Sequence, residues 1–324
     1  MNSTQSFGKT TYLIIKTARP RQWIKNLSLY AALVFSGFFF YDPIDSYPYV
    51  VVVTYAFAVF SLLTSGIYFV NDIIDREADQ KHPFKKKRPI PSGELSLATA
   101  KITSVLLLCS AMLLSIPLSL FFKLLAVGYL TLQLLYSKKL KHIPILDVSA
   151  IAAGFLIRIY AGAVVVNLHM SVWFLLTVLS ASLFLAVGKR QSERTLLKGR
   201  EDAELGSTRT ILKRYSQRLL DQYTGMFANS TWLSYALFAF QNEVSKPDER
   251  IATIYTILPK ALHSQKLLML SIPFVIIGVM RYLQLVYESN QGESPERVLL
   301  NDKPLLVTVF LFGLVVMTVL YVLT

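Results

Sequence analysis

Long apolar stretches alternate with charged segments along almost the whole chain. Nine of them come close to the roughly 20 residues that a helix needs to cross the hydrocarbon core of a bilayer. They are centred approximately on residues 27–41, 50–70, 98–118, 121–137, 146–166, 171–188, 226–241, 266–287 and 304–323. The first, fourth and seventh are short or interrupted by polar residues. The pattern predicts an all-α, polytopic membrane protein, a bundle of about nine transmembrane helices.

The composition agrees with this pattern and excludes several kinds of site. Of 324 residues, 53% are hydrophobic and 16% are charged, against roughly 25% charged residues in an average soluble domain. The single cysteine, Cys109, lies inside an apolar stretch, so we expect neither a disulfide framework nor a cysteine-based metal site. The first 18 residues are polar and lack the features of a cleaved signal peptide. We therefore expect the N-terminus to stay in the cytoplasm.

Lysine and arginine are concentrated in alternate connections. The cytoplasmic segments expected from nine helices hold 25 of these residues, and the outer connections hold four. Those cytoplasmic segments are 1–26, 71–95, 137–145, 189–225 and 288–303. Because positive charge is retained on the cytoplasmic side of a membrane, the formal net charge of +13 becomes a property of that face. Anionic lipids or phosphorylated substrates account for it, so no nucleic-acid partner is needed.

Three aspartates stand at the cytoplasmic end of the second predicted span, in NDIIDREADQKHPFKKKRP (71–89). On a helix, Asp75 and Asp79 lie about 60° and 20° from Asp72. Like charges at this spacing repel one another, and the C-terminus of a helix adds partial negative charge. A bound cation reverses both effects, and Mg²⁺ takes one or two carboxylates together with water and phosphate. The aspartates therefore indicate a Mg²⁺ site.

The basic residues that follow extend this interpretation. An acidic helix end neutralised by Arg76 and Lys81 would need no metal. Within ten residues, however, come four cations, whose density suits a multiply charged anion that also bridges the metal. They are Lys85, Lys86, Lys87 and Arg88. Alone, this run is also typical of a positive-inside anchor; with the aspartates, it predicts a site for Mg²⁺ and a diphosphate at the membrane surface.

Other cytoplasmic segments add candidate residues for binding phosphate. RPRQWIKN (19–26) enters the first span, YSKKLKHIPILD (136–147) enters the fifth, and GKRQSE (188–193) follows the sixth. The candidates that they contribute are Lys25, Asn26, Tyr136, Lys138, Lys189, Arg190 and Glu193. An ordinary ion pair would also explain Lys189 and Glu193, which share a helix face. Asp221, further along, fits either an ordinary acid at a helix N-terminus or another site carboxylate.

One charge lies inside a predicted span. Arg158, in DVSAIAAGFLIRIYAG, costs about 3 kcal/mol or more in hydrocarbon unless it is paired or hydrated. Asp147 returns to within about 20° of the same helix face, and Gly154 lies between them on that face. One interpretation is that this side of the helix lines an internal cavity. The other is a structural salt bridge between helices, with Asp147 as an end cap.

These motifs resemble the UbiA superfamily of membrane prenyltransferases over nearly the whole chain. The resemblance rests on the Asn-Asp-x-x-Asp-x-x-x-Asp pattern at 71–79, the following His82-Pro83 and KKKRPIPSG, the RPRQWIKN entry and the predicted helix count. It implies a single transmembrane domain over 1–324, whose central cavity opens to the cytoplasm and laterally to lipid. It also implies an active site at the cytoplasmic face of a bacterial-type inner membrane. Asn71, Asp72, Asp75 and Asp79 would then serve the metal or the diphosphate.

One departure from the family pattern narrows the resemblance. Family members carry a second Asp-x-x-x-Asp motif between helices 6 and 7, where this chain has GKRQSE; the nearest acids are Glu201, Asp202 and Glu204. With LLDQY and SPERVLLNDKP, this variant resembles the decaprenyl-phosphate phosphoribosyltransferase branch. The branch implies Mg²⁺-dependent transfer of 5-phosphoribosyl from phosphoribosyl diphosphate to a polyprenyl phosphate, in a route to donors for the cell envelope.

The resemblance also implies a division of roles. Asn71, Asp75 and Asp79 would hold the metal, with Lys85, Arg88 and Lys189 on the leaving diphosphate. Asp72 or Glu193 would orient the ribose, and Lys189, Arg190 or the 85–88 run would bind the 5-phosphate. The lipid phosphate would lie near Arg158, Lys25 or the corner from Tyr136 to Lys138. Two alternatives remain. The first is prenyl transfer to an aromatic or other acceptor, which needs a second carboxylate pair. The second is transport of a phosphorylated metabolite, for which internal repeats in the sequence would be typical.

Overall fold

The computed structural model describes residues 7–44, 46–81, 85–198, 215–242, 266–288 and 295–323. Within these ranges every regular element is a helix. The α-helices are α1 (Phe7–Ala18), α2 (Tyr30–Phe35), α3 (Tyr49–Ile74), α4 (Arg76–Gln80), α5 (Leu97–Leu114), α6 (Leu120–Lys138), α7 (Leu146–Val165), α8 (Val172–Lys198), α9 (Gln217–Gln241), α10 (Ile272–Tyr287), α11 (Pro295–Asn301) and α12 (Lys303–Tyr321). Short 3₁₀ helices cover Pro20–Leu29, Lys85–Lys87, Leu140–His142 and Leu267–Ser271. The prediction of an all-α fold is confirmed.

Seven helical segments in the described ranges are long and apolar enough to cross a membrane, so the chain is an integral membrane protein. They are Tyr49–Ile74, Leu97–Leu114, Leu120–Lys138, Leu146–Val165, Val172–Arg194, Leu267–Tyr287 and Lys303–Tyr321. The first predicted span contains only a six-residue α-helix, α2, after a 3₁₀ helix. The seventh lies in α9, which has 25 residues but a more polar composition. The number of nine spans, the central cavity and the single domain stay predictions.

Side-chain caps fix where several helices begin. The side chains of Ser96, Ser119, Ser216 and Asp302 accept hydrogen bonds from backbone N–H groups three residues later, at the starts of α5, α6, α9 and α12. Such caps satisfy N–H groups that have no partner within their helix. The polar residues between apolar stretches thus define the helix boundaries.

The described chain divides into two compact units. The first unit contains the described residues up to Ala32, Tyr41–Leu168 and Tyr215; the second contains Leu33–Phe40, α8 and the described residues from Ser216 on. In the first, a Cβ at Gly66 of α3 would come within 2.8 Å of the Leu108 side chain, so α3 and α5 pack closely. Gly162 of α7 approaches the backbone of Leu29 so closely that a Cβ there would lie 1.9 Å from the carbonyl oxygen.

A small apolar core lies beneath the Asp-rich helix end of the first unit. Phe69 of α3 and Leu13 of α1 are buried with Ile90, Leu95 and Ala100. Because Ile90 and Leu95 follow the basic run directly, their burial folds that run back onto the end of α3. In the second unit, an aromatic cluster of Phe35, Phe174, Tyr235, Phe238 and Phe312 and an apolar core around Phe184, Tyr282 and Val286 hold the helices together.

Candidate active site

The three aspartates span a junction between two helices. Asp72 lies in α3, which ends at Ile74; Asp75 stands between the helices, and Asp79 lies in α4. This corrects the expectation that a single helix carries all of them. The helical bonding nevertheless crosses the junction, because the N–H of Asp75 donates to the Asn71 carbonyl at 2.9 Å and the N–H of Asp79 to the Asp75 carbonyl at 2.8 Å. Asn71, Asp75 and Asp79 therefore keep their spacing of one helical turn.

Asp72 and Asp79 are buried and held by basic side chains. They are 2% and 4% exposed. Nη1 of Arg88 lies 3.2 Å from Oδ1 of Asp72 and 2.7 Å from Oδ2 of Asp79. Nη2 of Arg19 lies 2.5 Å from the same Oδ1 of Asp72, and Nζ of Lys85 lies 3.7 Å from Oδ1 of Asp79. The acidic and basic halves of 71–89 thus form one cluster.

The segment around the end of α6 completes this corner. Nζ of Lys141 lies 2.6 Å from Oδ1 of Asp75, and Oγ of Ser137 donates to Oδ1 of Asn71 at 2.5 Å. The sequence interpretation missed Ser137, Lys141 and the role of Arg19. All three lie in segments singled out for their basic residues, but pairs separated by 53 to 66 positions leave no trace in local spacing.

The side-chain oxygens at this corner fit a Mg²⁺ ion that takes its remaining ligands from phosphate and water. Within the described residues, no group of three or more His, Cys, Asp or Glu side chains could by itself hold a metal ion. The oxygens of Asn71, Asp75 and Asp79 are nevertheless hard ligands spaced by one helical turn, each within reach of a hydrogen-bond donor or a cation. Mg²⁺ often binds proteins through one or two carboxylates and takes its other ligands from phosphate and water. The residues therefore fit a metal that is shared with a bound phosphate.

The other candidates of the first unit differ in exposure. Lys86, Lys87 and Lys138 are exposed, while Lys25 and Tyr136 are half-buried. Their roles stay predictions, because exposed lysines are equally typical of an anchor at the membrane surface. His82 and Pro83 lie outside the described residues.

Arg158 is buried in α7 among neutral partners. Its Nε donates to Oδ1 of Asn26 at 3.0 Å, Nη1 donates to the Gly154 carbonyl at 3.1 Å, and Nη2 donates to the Tyr129 hydroxyl. The guanidinium also lies 4.7 Å from the Tyr129 ring centroid. Among the described residues no carboxylate pairs with it. This contradicts the interhelical salt bridge and connects two predicted site residues, Asn26 and Arg158.

The structure places Asp147 against Tyr215. Asp147 is fully buried in the first turn of α7, and the Tyr215 hydroxyl donates to its Oδ1 at 2.6 Å. The same hydroxyl accepts the N–H of Ile145 at 2.7 Å. Ile145 has a φ of 71°, which a β-branched residue rarely adopts. Tyr215 and Asp147 thus stabilise a strained turn between Lys141 and α7.

The candidates of the second unit lie at the end of α8. Nη1 of Arg190, a buried residue, lies 2.5 Å from Oε2 of Glu193. Oδ1 of Asp221 accepts from Nε2 of Gln191 at 2.9 Å and from the Tyr287 hydroxyl at 3.0 Å. Asp221 thus joins α8, α9 and α10 and is more than an ordinary acid at a helix N-terminus. Lys189 is half-buried. The roles expected for Lys189, Arg190 and Glu193 stay predictions; Glu201, Asp202 and Glu204 lie outside the described residues.

The fold defines a class, the helical integral membrane proteins. The model of the UbiA prenyltransferase family matches residues 28–301, and the chain belongs to that family. This sets the transporter hypothesis aside.

Similarity to individual proteins extends over most of the chain. The chain is 33% identical to a decaprenyl-phosphate phosphoribosyltransferase of Corynebacterium glutamicum over 95% of this chain and 87% of that protein. It is 35% identical to one of Mycolicibacterium smegmatis over 90% of this chain and 87% of that protein. A solved structure of a UbiA homologue from Archaeoglobus fulgidus, bound to GPP and Mg²⁺, matches with a TM-score of 0.66 at 18% identity, covering 95% of this chain and 99% of the other. That structure supports the fold.

Proposed function

We propose that this protein transfers the 5-phosphoribosyl group from phosphoribosyl diphosphate to a polyprenyl phosphate and releases diphosphate, with Mg²⁺ as cofactor. The observation that carries the proposal is the similarity over at least 90% of this chain to two proteins named decaprenyl-phosphate phosphoribosyltransferase. The cluster of aspartates, arginines and lysines at the end of α3 supplies the groups that a metal and a diphosphate need. We place it at the cytoplasmic face of a bacterial-type inner membrane, because the basic residues concentrate in the segments predicted for that face.

Asn71, Asp75 and Asp79 would hold the metal. Their oxygens follow one another at intervals of one helical turn, and the solved UbiA homologue with GPP and Mg²⁺ supports metal use in this family. When bound, Mg²⁺ neutralises the charge that develops on the leaving diphosphate. Lys85 and Lys141 now contact Asp79 and Asp75. Their side chains would move to the diphosphate oxygens, and charge-assisted hydrogen bonds would keep the leaving group in place.

The acceptor needs no strong base. A phosphate monoester is already ionised at neutral pH, so its oxygen can attack C1 of the ribose directly. The bond between C1 and the acceptor oxygen forms, the bond between C1 and the diphosphate oxygen breaks, and the electron pair leaves with the diphosphate. Arg158, whose charge has no carboxylate partner among the described residues, is proposed to attract the lipid phosphate toward the membrane interior.

The test is a transfer assay with purified protein. Protein in nanodiscs is mixed with Mg²⁺, radiolabelled phosphoribosyl diphosphate and polyprenyl phosphates, and label is counted in the organic phase. We expect lipid-linked label that depends on Mg²⁺. Absence of that label, with prenylated product from an allylic diphosphate and an aromatic acid in a parallel reaction, would favour the alternative, transfer of a prenyl group. The family description and the GPP-bound homologue are the observations behind that second candidate.

A further inference from the structure

Asp72 is held by two guanidiniums, whereas Asp79 pairs with one guanidinium and with Lys85 at 3.7 Å. Asp72 is 2% exposed, and a single oxygen, Oδ1, accepts from both Arg19 and Arg88, at 2.5 and 3.2 Å. Asp75, by contrast, pairs with one lysine, and its side chain is 36% exposed. A carboxylate oxygen shared by two guanidiniums is poorly placed to serve a metal as well. The geometry suits a group that keeps two arginines side by side.

Arg19 is held in a conformation that local sequence would not choose. Its backbone is left-handed, with φ 54° and ψ 60°, which residues other than glycine adopt rarely. Such strain persists where surrounding structure imposes it, often at functional sites. Besides the bond to Asp72, its guanidinium lies 4.9 Å from the ring centroid of Tyr68. A carboxylate and an aromatic ring thus fix the orientation of this guanidinium.

The exposed part of the cluster is basic. The side chains of Arg19 and Arg88 are 27% and 33% exposed, whereas that of Asp72 is 3% exposed. Lys85 adds a third cation at Asp79, so three positive charges accompany two carboxylates. The cluster therefore presents guanidinium N–H groups and a surplus of positive charge outward, which attracts an anion.

We propose that Arg19 and Arg88, held together by Asp72, form a phosphate subsite that works without a metal ion. Two adjacent guanidiniums can bind one phosphate group through several parallel N–H donors. Asp72 is then a positioning residue, and the metal role stays with Asn71, Asp75 and Asp79. The subsite rests on the proposed function for its ligand: both substrates carry a phosphate monoester, the 5-phosphate of the donor and the phosphate of the lipid, and the subsite takes one of them.

The subsite is tested by measuring the binding of phosphate monoesters in the presence of EDTA, which removes Mg²⁺. Ribose 5-phosphate and farnesyl phosphate are titrated separately into the full-length protein in nanodiscs, and the dissociation constant is measured by calorimetry. We expect one of the two probes to bind, which identifies the source of the phosphate. Arg19→Lys keeps the charge but loses the planar fork, so we expect binding at least tenfold weaker. Arg21→Lys, an exposed arginine two positions on, is the matched control and should bind as the wild type does.

Several results would overturn the subsite. These are failure of both probes to bind the wild type in EDTA, or equal binding by Arg19→Lys and wild type. If Arg19→Lys does not fold, Tyr68→Leu replaces it as the test, because it removes the ring beneath the guanidinium. This variant should bind the probe several-fold more weakly; unchanged affinity contradicts the proposal. Asp72→Asn should also weaken the probe, yet leave unchanged the Mg²⁺ concentration that gives half-maximal thermal stabilisation with pyrophosphate. A shifted Mg²⁺ requirement would make Asp72 a metal ligand instead.

The subsite and the proposed function can fail separately. Phosphate binding in EDTA that depends on Arg19, in a protein that transfers no phosphoribosyl group, would leave the subsite standing and reject the activity. Phosphoribosyl transfer by a protein that binds the probe equally well without Arg19 would support the activity and reject the subsite.

Discussion

Asp72 and Asp79 belong to different helices, yet both accept a hydrogen bond from the same nitrogen, Nη1 of Arg88. Arg88 reaches both because Ile90 and Leu95, just after it, are buried against Phe69 of α3. Burial of two apolar residues thus folds a basic run onto an acidic helix end. The same cations that now neutralise the aspartates are within reach of any phosphate that binds there, so binding would exchange partners rather than create a charged site from nothing.

Replacing Asp75 or Asp79 by Asn should remove a metal ligand. We expect each variant to lose about 100-fold or more in kcat, roughly 3 kcal/mol of transition-state stabilisation. The measurement is Mg²⁺-dependent transfer of labelled phosphoribosyl, with thermal stability in detergent to verify folding. Glu77→Gln, at an exposed position in α4, is the control and should retain activity. Near-full activity of both aspartate variants would remove the metal assignment.

Lys141→Met should weaken the binding of phosphoribosyl diphosphate. Lys141 contacts Asp75 at 2.6 Å and, in the proposed function, moves to the diphosphate. Loss of one charge-assisted contact of about 1.4 kcal/mol corresponds to a tenfold higher KM for phosphoribosyl diphosphate. Steady-state kinetics measure this, with Lys139→Met, an exposed neighbour, as control. An equal effect of both substitutions would indicate a general electrostatic contribution.

Gly162→Ala should destabilise the first unit. A Cβ at Gly162 would lie 1.9 Å from the Leu29 carbonyl oxygen, which belongs to the backbone and cannot rotate away. We expect a loss of about 2 kcal/mol or more, because overpacking forces the backbone to shift. Gly128→Ala in α6, where a Cβ meets nothing within 4 Å, is the control and should be neutral or slightly stabilising. Thermal inactivation in detergent compares the two; equal midpoints would contradict the close approach.

Asp302 should make stability depend on pH. Hydrogen bonds from Arg281, at 3.1 and 2.7 Å, lower the pKa of its carboxyl, assisted by the Leu305 N–H, while burial opposes them. A lowered folded-state pKa contributes stability above the unfolded value of about 3.9, and that contribution is lost as pH falls through the folded value. We expect Asp302→Asn to flatten the decline of the melting temperature below about pH 4. Glu94→Gln, an exposed acid, should keep the wild-type slope.

Periodicity and charge sufficed for much of the fold and for the acidic corner. Carboxylates at helical spacing, then a basic run, predicted a cluster because both features are local. The partners from distant segments, Arg19, Ser137 and Lys141, could not be predicted, since their contacts depend on how helices pack. The local structure at the start of the first predicted span could not be predicted for a related reason: its composition does not reveal that Pro20–Leu29 forms a 3₁₀ helix.

Variants of Arg158 distinguish a charge that binds substrate from a charge that only stabilises the fold. The guanidinium is buried, bonded to Asn26, Gly154 and Tyr129, and has no carboxylate partner among the described residues. Because this guanidinium has no carboxylate partner among the described residues, its replacement by Met leaves no opposite charge unpaired and removes the cost of burying a charge. We therefore expect Arg158→Met to keep or raise the melting temperature in detergent. If the charge attracts the lipid phosphate, the same variant should show a KM for polyprenyl phosphate raised about tenfold or more.

Two further variants make this comparison decisive. Tyr129→Phe keeps the ring and the charge of Arg158 but removes one acceptor, so it should lower the melting temperature and leave the KM for the lipid nearly unchanged. Arg158→Lys retains the charge without the fork geometry, so it should recover part of the lipid affinity that Arg158→Met loses. A melting temperature that falls in Arg158→Met with an unchanged KM would mean that the guanidinium serves only to join α7 to Asn26 and α6.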